Sequence, residues 1–207
     1  MEEQEAISLN IAILPDAERK NKAIELSRKV AAEIPSYFVL DGESLHPHFT
    51  VYQAHYPLRN LDKLKKAVDE IAQRLSGLEI TMDSFRVVLG TFIFWGCEKT
   101  GELINAQSEA IGLANPLREG LIMPQLMDRE GLTNEDRGDI KNFGSLLIGP
   151  RYDPHITIAR IKNPNDAERT LKVLGEARRE TFRPASLVLA HLGDHGTLTK
   201  IIHKVSL

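Results

Sequence analysis

The stretch Pro154-His155-Ile156-Thr157-Ile158 repeats the pattern of an earlier stretch, Pro47-His48-Phe49-Thr50-Val51. In both, a histidine and a threonine stand two residues apart among β-branched or aromatic residues, a composition that favours a β-strand. Because successive side chains of a strand point to opposite faces, the histidine and the threonine of each copy project from one face. Each strand therefore presents an imidazole beside a hydroxyl.

The repetition extends beyond the two motifs. Each histidine is preceded by a proline and followed nine residues later by another, at Pro57 and Pro164. A histidine, an apolar residue and a threonine meet by chance in many strands, but two such strands with matching flanks indicate an internal duplication. We therefore expect the two halves of the chain to resemble each other.

Length and composition limit the class of protein. The 207 residues suffice for one large domain or two small lobes with an ordinary core. The single cysteine, Cys97, excludes an intrachain disulfide, and Met1–Glu5 lacks the basic and apolar regions of a signal peptide. The longest nearly uninterrupted apolar run, residues 87–97, is shorter than the roughly 20 residues of a membrane-spanning helix. These features predict a cytoplasmic protein with no membrane partner.

The charge of the chain limits its partners. The formal net charge is −3 and the sequence pI is about 6.2, so no global positive field attracts long nucleic acid. We therefore expect no duplex DNA partner. Small phosphorylated ligands or short RNA ends are compatible with this charge.

The first part of the chain alternates strands and helices. Residues 7–14 predict a strand, after which Asp16 can cap a helix that runs to about residue 34. Leucine, valine and isoleucine at spacings of three and four predict a helix over 60–76, capped by Asn60. The next predicted elements are strands at 78–89 and 91–97 and a helix at 100–114.

The second part repeats this order after its own histidine strand. Asn165 with Glu168 resembles a capping box, and strands at 181–192 and 197–205 form a hairpin about the turn 193–196. The pattern predicts an α+β protein with two antiparallel sheets related by a pseudo-twofold axis and helices on their outer faces. We expect one bilobal domain over 1–207, with halves at about 1–97 and 151–207 and a connecting helix and charged insert at about 98–150.

The insert is unlike the rest of the chain. Residues 117–149 are charged and rich in glycine, with one helix predicted from the Thr133–Asp136 cap to Phe143. A connection of this length in a compact domain is usually a functional loop or a partly disordered one. Both a solvated excursion and a lid over the site are compatible with it.

The two histidines suggest a chemistry. If the pseudo-twofold axis brings the two strands together, both imidazoles and both hydroxyls face one groove. The ordinary histidine pKa of about 6.5 then allows one ring to be neutral and the other protonated near neutral pH. The neutral ring can take a proton from water or a ribose hydroxyl, and the charged ring can give one to the leaving oxygen. Phosphoryl transfer suits this pair, with Thr50 and Thr157 donating hydrogen bonds to the phosphate and no metal required.

The paired His-x-Thr-x motifs resemble the two-histidine (2H) phosphoesterase superfamily, which includes 2'-5' RNA ligase-like proteins and cyclic phosphodiesterases. The likeness also covers the opening Asn10-Ile11-Ala12-Ile13-Leu14-Pro15, the helix after it and the closing hairpin. The resemblance implies a bilobal LigT-like fold with a central cleft, and hydrolysis or formation of 2',3'-cyclic or 2'-5' phosphate bonds at a nucleotide or RNA end. It implies His48 and His155 as acid and base, Thr50 and Thr157 as phosphate ligands, and no cofactor.

Two further residues are candidate substrate contacts. Strand alternation places Tyr52 on the face of His48 and Thr50, where a base or ribose could rest on its ring, although a tyrosine packed at the mouth of the sheet fits equally. Arg160 could pair with phosphate, but its odd offset from His155 places it on the opposite face unless a bulge intervenes.

Other functions remain open. His46 lies two residues before His48, yet the intervening Pro47 and the lack of a nearby carboxylate or cysteine cluster disfavour a zinc site built with His155. A second hypothesis is a binding module without catalysis that holds a phosphorylated nucleotide or RNA end in the same cleft.

Overall fold

A computed structural model describes residues 5–127 and 129–207 of the chain. Residues 1–4, which belong to the starting segment without signal-peptide features, lie outside the described residues. The strands are β1 (Ala6–Leu14), β2 (Phe49–Pro57), β3 (Ile80–Val88), β4 (Phe92–Cys97), β5 (His155–Arg160), β6 (Glu180–Phe182), β7 (Ser186–Leu192) and β8 (Leu198–Ser206). The helices are α1 (Ala17–Glu33), α2 (Leu61–Arg74), α3 (Gly101–Ala114), α4 (Pro124–Met127), α5 (Asn134–Phe143) and α6 (Ala167–Leu174). Each helix in these two ranges is too short or too polar to cross a membrane.

The strands form one antiparallel sheet in the order β6-β3-β4-β5-β2-β1-β7-β8, which confirms the predicted α+β class. The two histidine strands, β2 and β5, lie at its centre and pair through a single pair of residues, Phe49 and Ile156. The two expected sheets are therefore two four-stranded halves joined at one point. The joint coincides with the two motifs.

The topology has the symmetry that the repeat predicts. About the Phe49–Ile156 pair, β1 beside β2 corresponds to β4 beside β5, and β7 beside β1 corresponds to β3 beside β4. The chain crosses between the halves, because the β3–β4 hairpin pairs with β5 and the β7–β8 hairpin pairs with β1. Each half of the sheet is thus built from both ends of the sequence.

Helices cover one face of each half and form the main core with it. Asp16 accepts a hydrogen bond from the Arg19 amide and begins α1, as predicted, and the buried side of α1 packs against β5 and α6. In the symmetric arrangement α3 packs against β2 and α2. The opposite face of the sheet is left for the cleft.

Two predicted helix caps are wrong. The Asn60 side chain makes no capping bond to α2 and instead donates to the Leu117 carbonyl oxygen and to Glu119, which ties the insert to the body of the protein. Asn165 lies inside a 3-10 turn that precedes α6, and the capping side chain there is Asn163. Asn60 thus bonds to residues far along the chain in place of the start of its own helix. Asn163 takes the capping position that the spacing assigned to Asn165.

The last predicted hairpin begins later than expected. The predicted strand 181–192 is in fact two strands, β6 and β7. β6 pairs with β3 in one half of the sheet and β7 pairs with β1 in the other half, and the segment 183–185 connects them. Pro184 lies in this segment, and proline cannot donate a ladder hydrogen bond. The crossing between the halves therefore occurs at a proline.

Both histidine strands contain a β-bulge at the same place. Between β1 and β2 the register skips Val51, and between β4 and β5 it skips Ile158, each the residue directly after the motif threonine. An extra residue changes which face the following side chains occupy. The bulges are a further sign of the duplication, and they alter the alternation that the sequence predicts beyond each threonine.

The insert is folded. Thr133 and Asp136 form the predicted capping box at the start of α5. The insert has a small apolar cluster of Met123, Leu126 and Ile140, which also contacts Leu192 at the end of β7. Leu192 lies on the face opposite the helices, as do the residues two and four positions before it in β7. The insert therefore reaches the cleft side of the sheet.

Candidate active site

The two motifs meet about the Phe49–Ile156 pair. Since β2 and β5 are antiparallel, one step along each strand from this pair places His48 opposite Thr157 and Thr50 opposite His155. Directly opposed side chains of such strands lie roughly 5 Å apart at Cβ. The arrangement gives two histidine and threonine pairs on one face, related by the pseudo-twofold axis.

The same hydrogen bond orients both imidazole rings. His48 Nδ1 lies 2.9 Å from the carbonyl oxygen of His46, and His155 Nδ1 lies 2.6 Å from that of Asp153. A carbonyl oxygen only accepts, so Nδ1 carries the proton in each ring and donates it. Nε2 is therefore the atom that each neutral ring can use to accept a proton from a substrate or a water.

Burial lowers the pKa of both histidines. His48 is 7% exposed, and desolvation lowers its pKa to about 4, with a further lowering by the charge of His155. Burial also lowers the pKa of His155 to about 4, against the raising effects of the Asp153 carbonyl and carboxylate. Burial therefore opposes the protonated ring near neutral pH that the ordinary histidine pKa led us to expect.

The surroundings of His155 differ from those of His48. Phe94 stacks on the His155 ring, with centroids 3.4 Å apart and planes inclined by 12°. Arg86 forms a two-pronged ion pair with Asp153, and its guanidinium crosses Gly96, where a Cβ would lie 3.0 Å from Arg86 Nε. Glycine at this position lets the guanidinium lie close to the strand beside the ring.

The two threonines keep hydroxyl protons available. Thr50 Oγ1 accepts a hydrogen bond from Asn10 Nδ2 at 2.9 Å, and its carbonyl oxygen accepts one from the Tyr152 hydroxyl at 3.1 Å. Thr157 Oγ1 has no hydrogen-bond partner within residues 5–127 and 129–207. Each hydroxyl can therefore donate to an anion held between the two histidines.

Tyr52 does not lie on the cleft face, which corrects the prediction from strand alternation. The bulge after Thr50 turns Tyr52 into the core, where it is 1% exposed. Its hydroxyl lies 2.5 Å from the Phe143 carbonyl oxygen and 3.0 Å from Asn115 Oδ1. Tyr52 fastens the insert to β2 and cannot contact a substrate.

Arg160 is on the same side as His155, because the bulge that the sequence left open does intervene. Its guanidinium lies over the ring of Phe92, whose ring contacts that of Phe94, which in turn stacks on His155. Arg160 is therefore a neighbour of the site on its rim. It does not reach the motif residues through any hydrogen bond among the described residues.

The three histidines considered for a metal do not form a ligand set. The residues that the structure describes contain no group of three or more histidine, cysteine, aspartate or glutamate side chains that could hold a metal ion. His48 and His155 each use Nδ1 for a backbone carbonyl. The third hypothetical ligand, His46, is partly buried near the positive charges of Lys20 and Lys204, and both effects lower its pKa.

The sequence and the fold identify the family. A family model described as the 2'-5' RNA ligase superfamily matches residues 28–196, which include both motifs. The chain belongs to this superfamily, which confirms the resemblance to two-histidine phosphoesterases and supports an enzyme of this type. Comparison with curated protein sequences gives no match.

Solved structures confirm the fold. Escherichia coli LigT complexed with 3'-AMP is 14% identical, with a TM-score of 0.53 over 98% of this chain and 99% of that one. LigT complexed with NADP+ is 13% identical, with a TM-score of 0.51 over 98% and 99% of the two chains. The protein TT0787 of Thermus thermophilus is 17% identical, with a TM-score of 0.52 over 97% and 98%. These likenesses establish the LigT-like fold.

Three neighbours of the motif residues were not among the predicted site residues. In the sequence Asn10 is distinguished only as part of the opening strand, although an asparagine inside an apolar strand, here fully buried, is a usable signal. Phe94 has the sequence context of a core residue, and Asp153 has no distinguishing feature. The contacts of Asn10 and Phe94 depend on which strands pair, and sequence spacing does not give that.

Proposed function

We propose that the protein is a metal-independent phosphoesterase that hydrolyses, or reversibly forms, a 2',3'-cyclic phosphate or a 2'-5' phosphodiester of a nucleotide or RNA end. The observation that supports it most is the symmetric pairing of His48 with Thr157 and of His155 with Thr50 about one strand junction. Family membership points to the same chemistry. The similar fold of LigT, solved in complex with 3'-AMP, supports a nucleotide as ligand.

In the proposed reaction, one neutral histidine accepts a proton at Nε2 from a water molecule that attacks the phosphorus atom. The bond from phosphorus to the ribose oxygen breaks, and the other histidine, protonated at Nε2, donates its proton to that oxygen. The two rings exchange protonation states in the reverse direction. Formation of the bond from phosphorus to the ribose oxygen is thus the reverse of its hydrolysis.

The lowered pKa values set a condition on this reaction. A protonated histidine is required, yet burial lowers the pKa of both rings to about 4. A bound phosphate brings negative charge next to the rings and favours the charged imidazolium, so the substrate raises the pKa of the ring that acts as acid. Thr50 and Thr157 hold the same negative charge by hydrogen bonds as it increases in the transition state.

The test is hydrolysis of a 2',3'-cyclic nucleotide by wild type, His48→Gln and His155→Gln in the presence of a chelator. We expect turnover by the wild type and losses of roughly 100-fold or more in each variant, as for removal of a general acid or base. His55→Gln is the matched control, because His55 lies on β2 beyond the bulge and bonds to Ser8. Near-normal rates in either motif variant with normal folding would refute the mechanism.

The same experiment separates the alternative function. Binding of 3'-AMP without turnover of any cyclic or 2'-5' substrate would identify a binding module without catalysis. Turnover of one of these substrates excludes that alternative.

A further inference from the structure

A groove lies on the helix-covered face of the sheet, on the side away from the cleft. We name it the outer groove: α1 and the segment 174–180 form its walls, and Phe85 and Trp95 lie at its base. Its volume is about 640 Å³, and pockets for small ligands measure roughly 300–1,000 Å³. The outer groove is therefore large enough to hold a small molecule.

The outer groove breaks the symmetry of the two halves. In the register about the central strand pair, Ile13 of β1 corresponds to Trp95 of β4. Its partner Leu187 of β7 corresponds to Phe85 of β3. Ile13 and Leu187 are fully buried, whereas Phe85 is half-buried. The covering helices differ as well, because α2, which packs against β7, has 14 residues and α6, which packs against β3, has 8. A shorter helix over larger rings thus replaces a closed aliphatic core.

The base of the outer groove combines aromatic rings with hydrogen-bond donors. The rings of Phe85 and Trp95 pack with centroids 6.1 Å apart and planes inclined by 44°. Trp95 is 2% exposed, and neither its Nε1 nor the Nε of Arg19 in the adjacent wall has a hydrogen-bond partner within residues 5–127 and 129–207. Both nitrogens are shielded from solvent, so only a ligand seated at the base can reach them. A buried donor without a partner is costly, which favours a ligand that brings an acceptor.

The walls of the outer groove carry balanced charges. Among the described residues, four glutamates and four arginines or lysines line it. Arg19 of α1 pairs with Glu180 in the opposite wall, and Lys22 pairs with Glu25 along α1. Because neither sign is in excess, the groove has no net field that selects a phosphate or a charged peptide. Its charges therefore favour a ligand that needs no charged group of its own.

We propose that the outer groove is a second binding site, which takes a planar heterocycle with a carbonyl acceptor, of the size of a nucleoside. The heterocycle stacks on the half-buried ring of Phe85, and its carbonyl oxygen accepts a hydrogen bond from Trp95 Nε1. The inference does not rest on the proposed function, because the outer groove and the cleft lie on opposite faces. In β4, Trp95 alternates with Phe94, which stacks on His155 in the cleft.

The test measures binding of inosine and of purine riboside, the same nucleoside without the carbonyl group, to the full-length protein by calorimetry. We expect a dissociation constant of roughly 1 mM or less for inosine and binding about tenfold weaker for purine riboside. Trp95 is the only tryptophan of the chain, so inosine should also change the tryptophan fluorescence over the same concentrations. No binding of inosine, or equal affinities for the two nucleosides, overturns the inference.

Variants locate the ligand. Phe85→Leu removes the stacking face and should weaken inosine binding about tenfold. Phe38→Leu is the matched control, since Phe38 is another half-buried phenylalanine packed against the main core but lies outside the lining of the outer groove. Trp95→Phe keeps an aromatic ring and loses the donor, so inosine and purine riboside should bind it equally. An inosine affinity unchanged in Phe85→Leu, or a preference for inosine that persists in Trp95→Phe, overturns the inference.

Circular dichroism and thermal unfolding show whether each variant is folded. Trp95 is buried, whereas Phe85 is half-buried, so Phe85→Leu disturbs the core less. If Trp95→Phe does not fold, the two phenylalanine variants decide the inference together with the pair of nucleosides. A loss of inosine affinity in Phe85→Leu but not in Phe38→Leu supports the outer groove as the site, and equal affinities in the two variants overturn it.

Discussion

The two buried histidines predict a specific loss of stability in mild acid. In the folded protein the pKa of His48 and of His155 is about 4, whereas both rise to about 6.5 when the chain unfolds. Above pH 6.5 both states are neutral and the histidines favour neither. Between about 6.5 and about 4 the unfolded chain binds protons that the folded protein does not, so the free energy of unfolding falls as the pH falls.

The magnitude follows from these two pKa values. One unit corresponds to about 1.4 kcal/mol, so lowering the pH from about 7 to about 5 costs about 2 kcal/mol for each histidine. The two together should therefore remove about 4 kcal/mol, a large share of the stability of a typical domain.

The measurement is urea unfolding of wild type, His48→Gln, His155→Gln and the double variant at both pH values. Each substitution should reduce the pH-dependent loss by about 2 kcal/mol, whatever it does to stability at neutral pH. The remaining histidines are present in every protein and cancel in the comparison. An equal loss in wild type and double variant would show that the rings titrate normally, and the account of the site would be wrong.

Three other predictions concern neighbours of the site and the insert. Asn10→Ala removes the bond to Thr50 Oγ1, so kcat/KM for a 2',3'-cyclic nucleotide should fall about tenfold or more, with 3'-AMP affinity measured in parallel; unchanged kinetics would show that Thr50 needs no support. Gly96→Ala displaces the Arg86 guanidinium by a few tenths of an ångström, because the added Cβ lies 3.0 Å from Arg86 Nε, and this should raise the pKa of His155 in the pH profile of kcat/KM, since the charge of Arg86 lowers it. Ala106→Gly in α3 should leave the profile unchanged, and an unchanged profile in Gly96→Ala would contradict this effect of Arg86. Arg118→Ala should lower the free energy of unfolding by about 2 kcal/mol or more and expose the insert to proteolysis, because buried Arg118 donates to the carbonyl oxygens of Leu121 and Lys141; an insert that resists protease as before would contradict this role.

The sequence predicted those features that depend on local patterns. The repeated motif indicated the duplication and the pairing of the histidine strands, and the Asp16 and Thr133 caps began helices as expected. Alternation within each motif was reliable because no bulge interrupts residues 48–50 or 155–157.

The failures arose where distant contacts decide. The bulge after each threonine reversed the expected faces of Tyr52 and Arg160, and a bulge depends on the partner strand. The Asn60 side chain does not cap its helix, because it donates hydrogen bonds to residues almost sixty positions away in the chain. The histidine pKa values followed from burial, which no single-residue pattern reports.

The exchange of hairpins between the halves has a consequence for biosynthesis. During translation β1 emerges first, yet its neighbour β7 is among the last segments to leave the ribosome. Until then one edge of β1 is unpaired, and the wall of the cleft that Asn10 supports is incomplete. Chains that end before β7 therefore cannot complete the sheet beside β1.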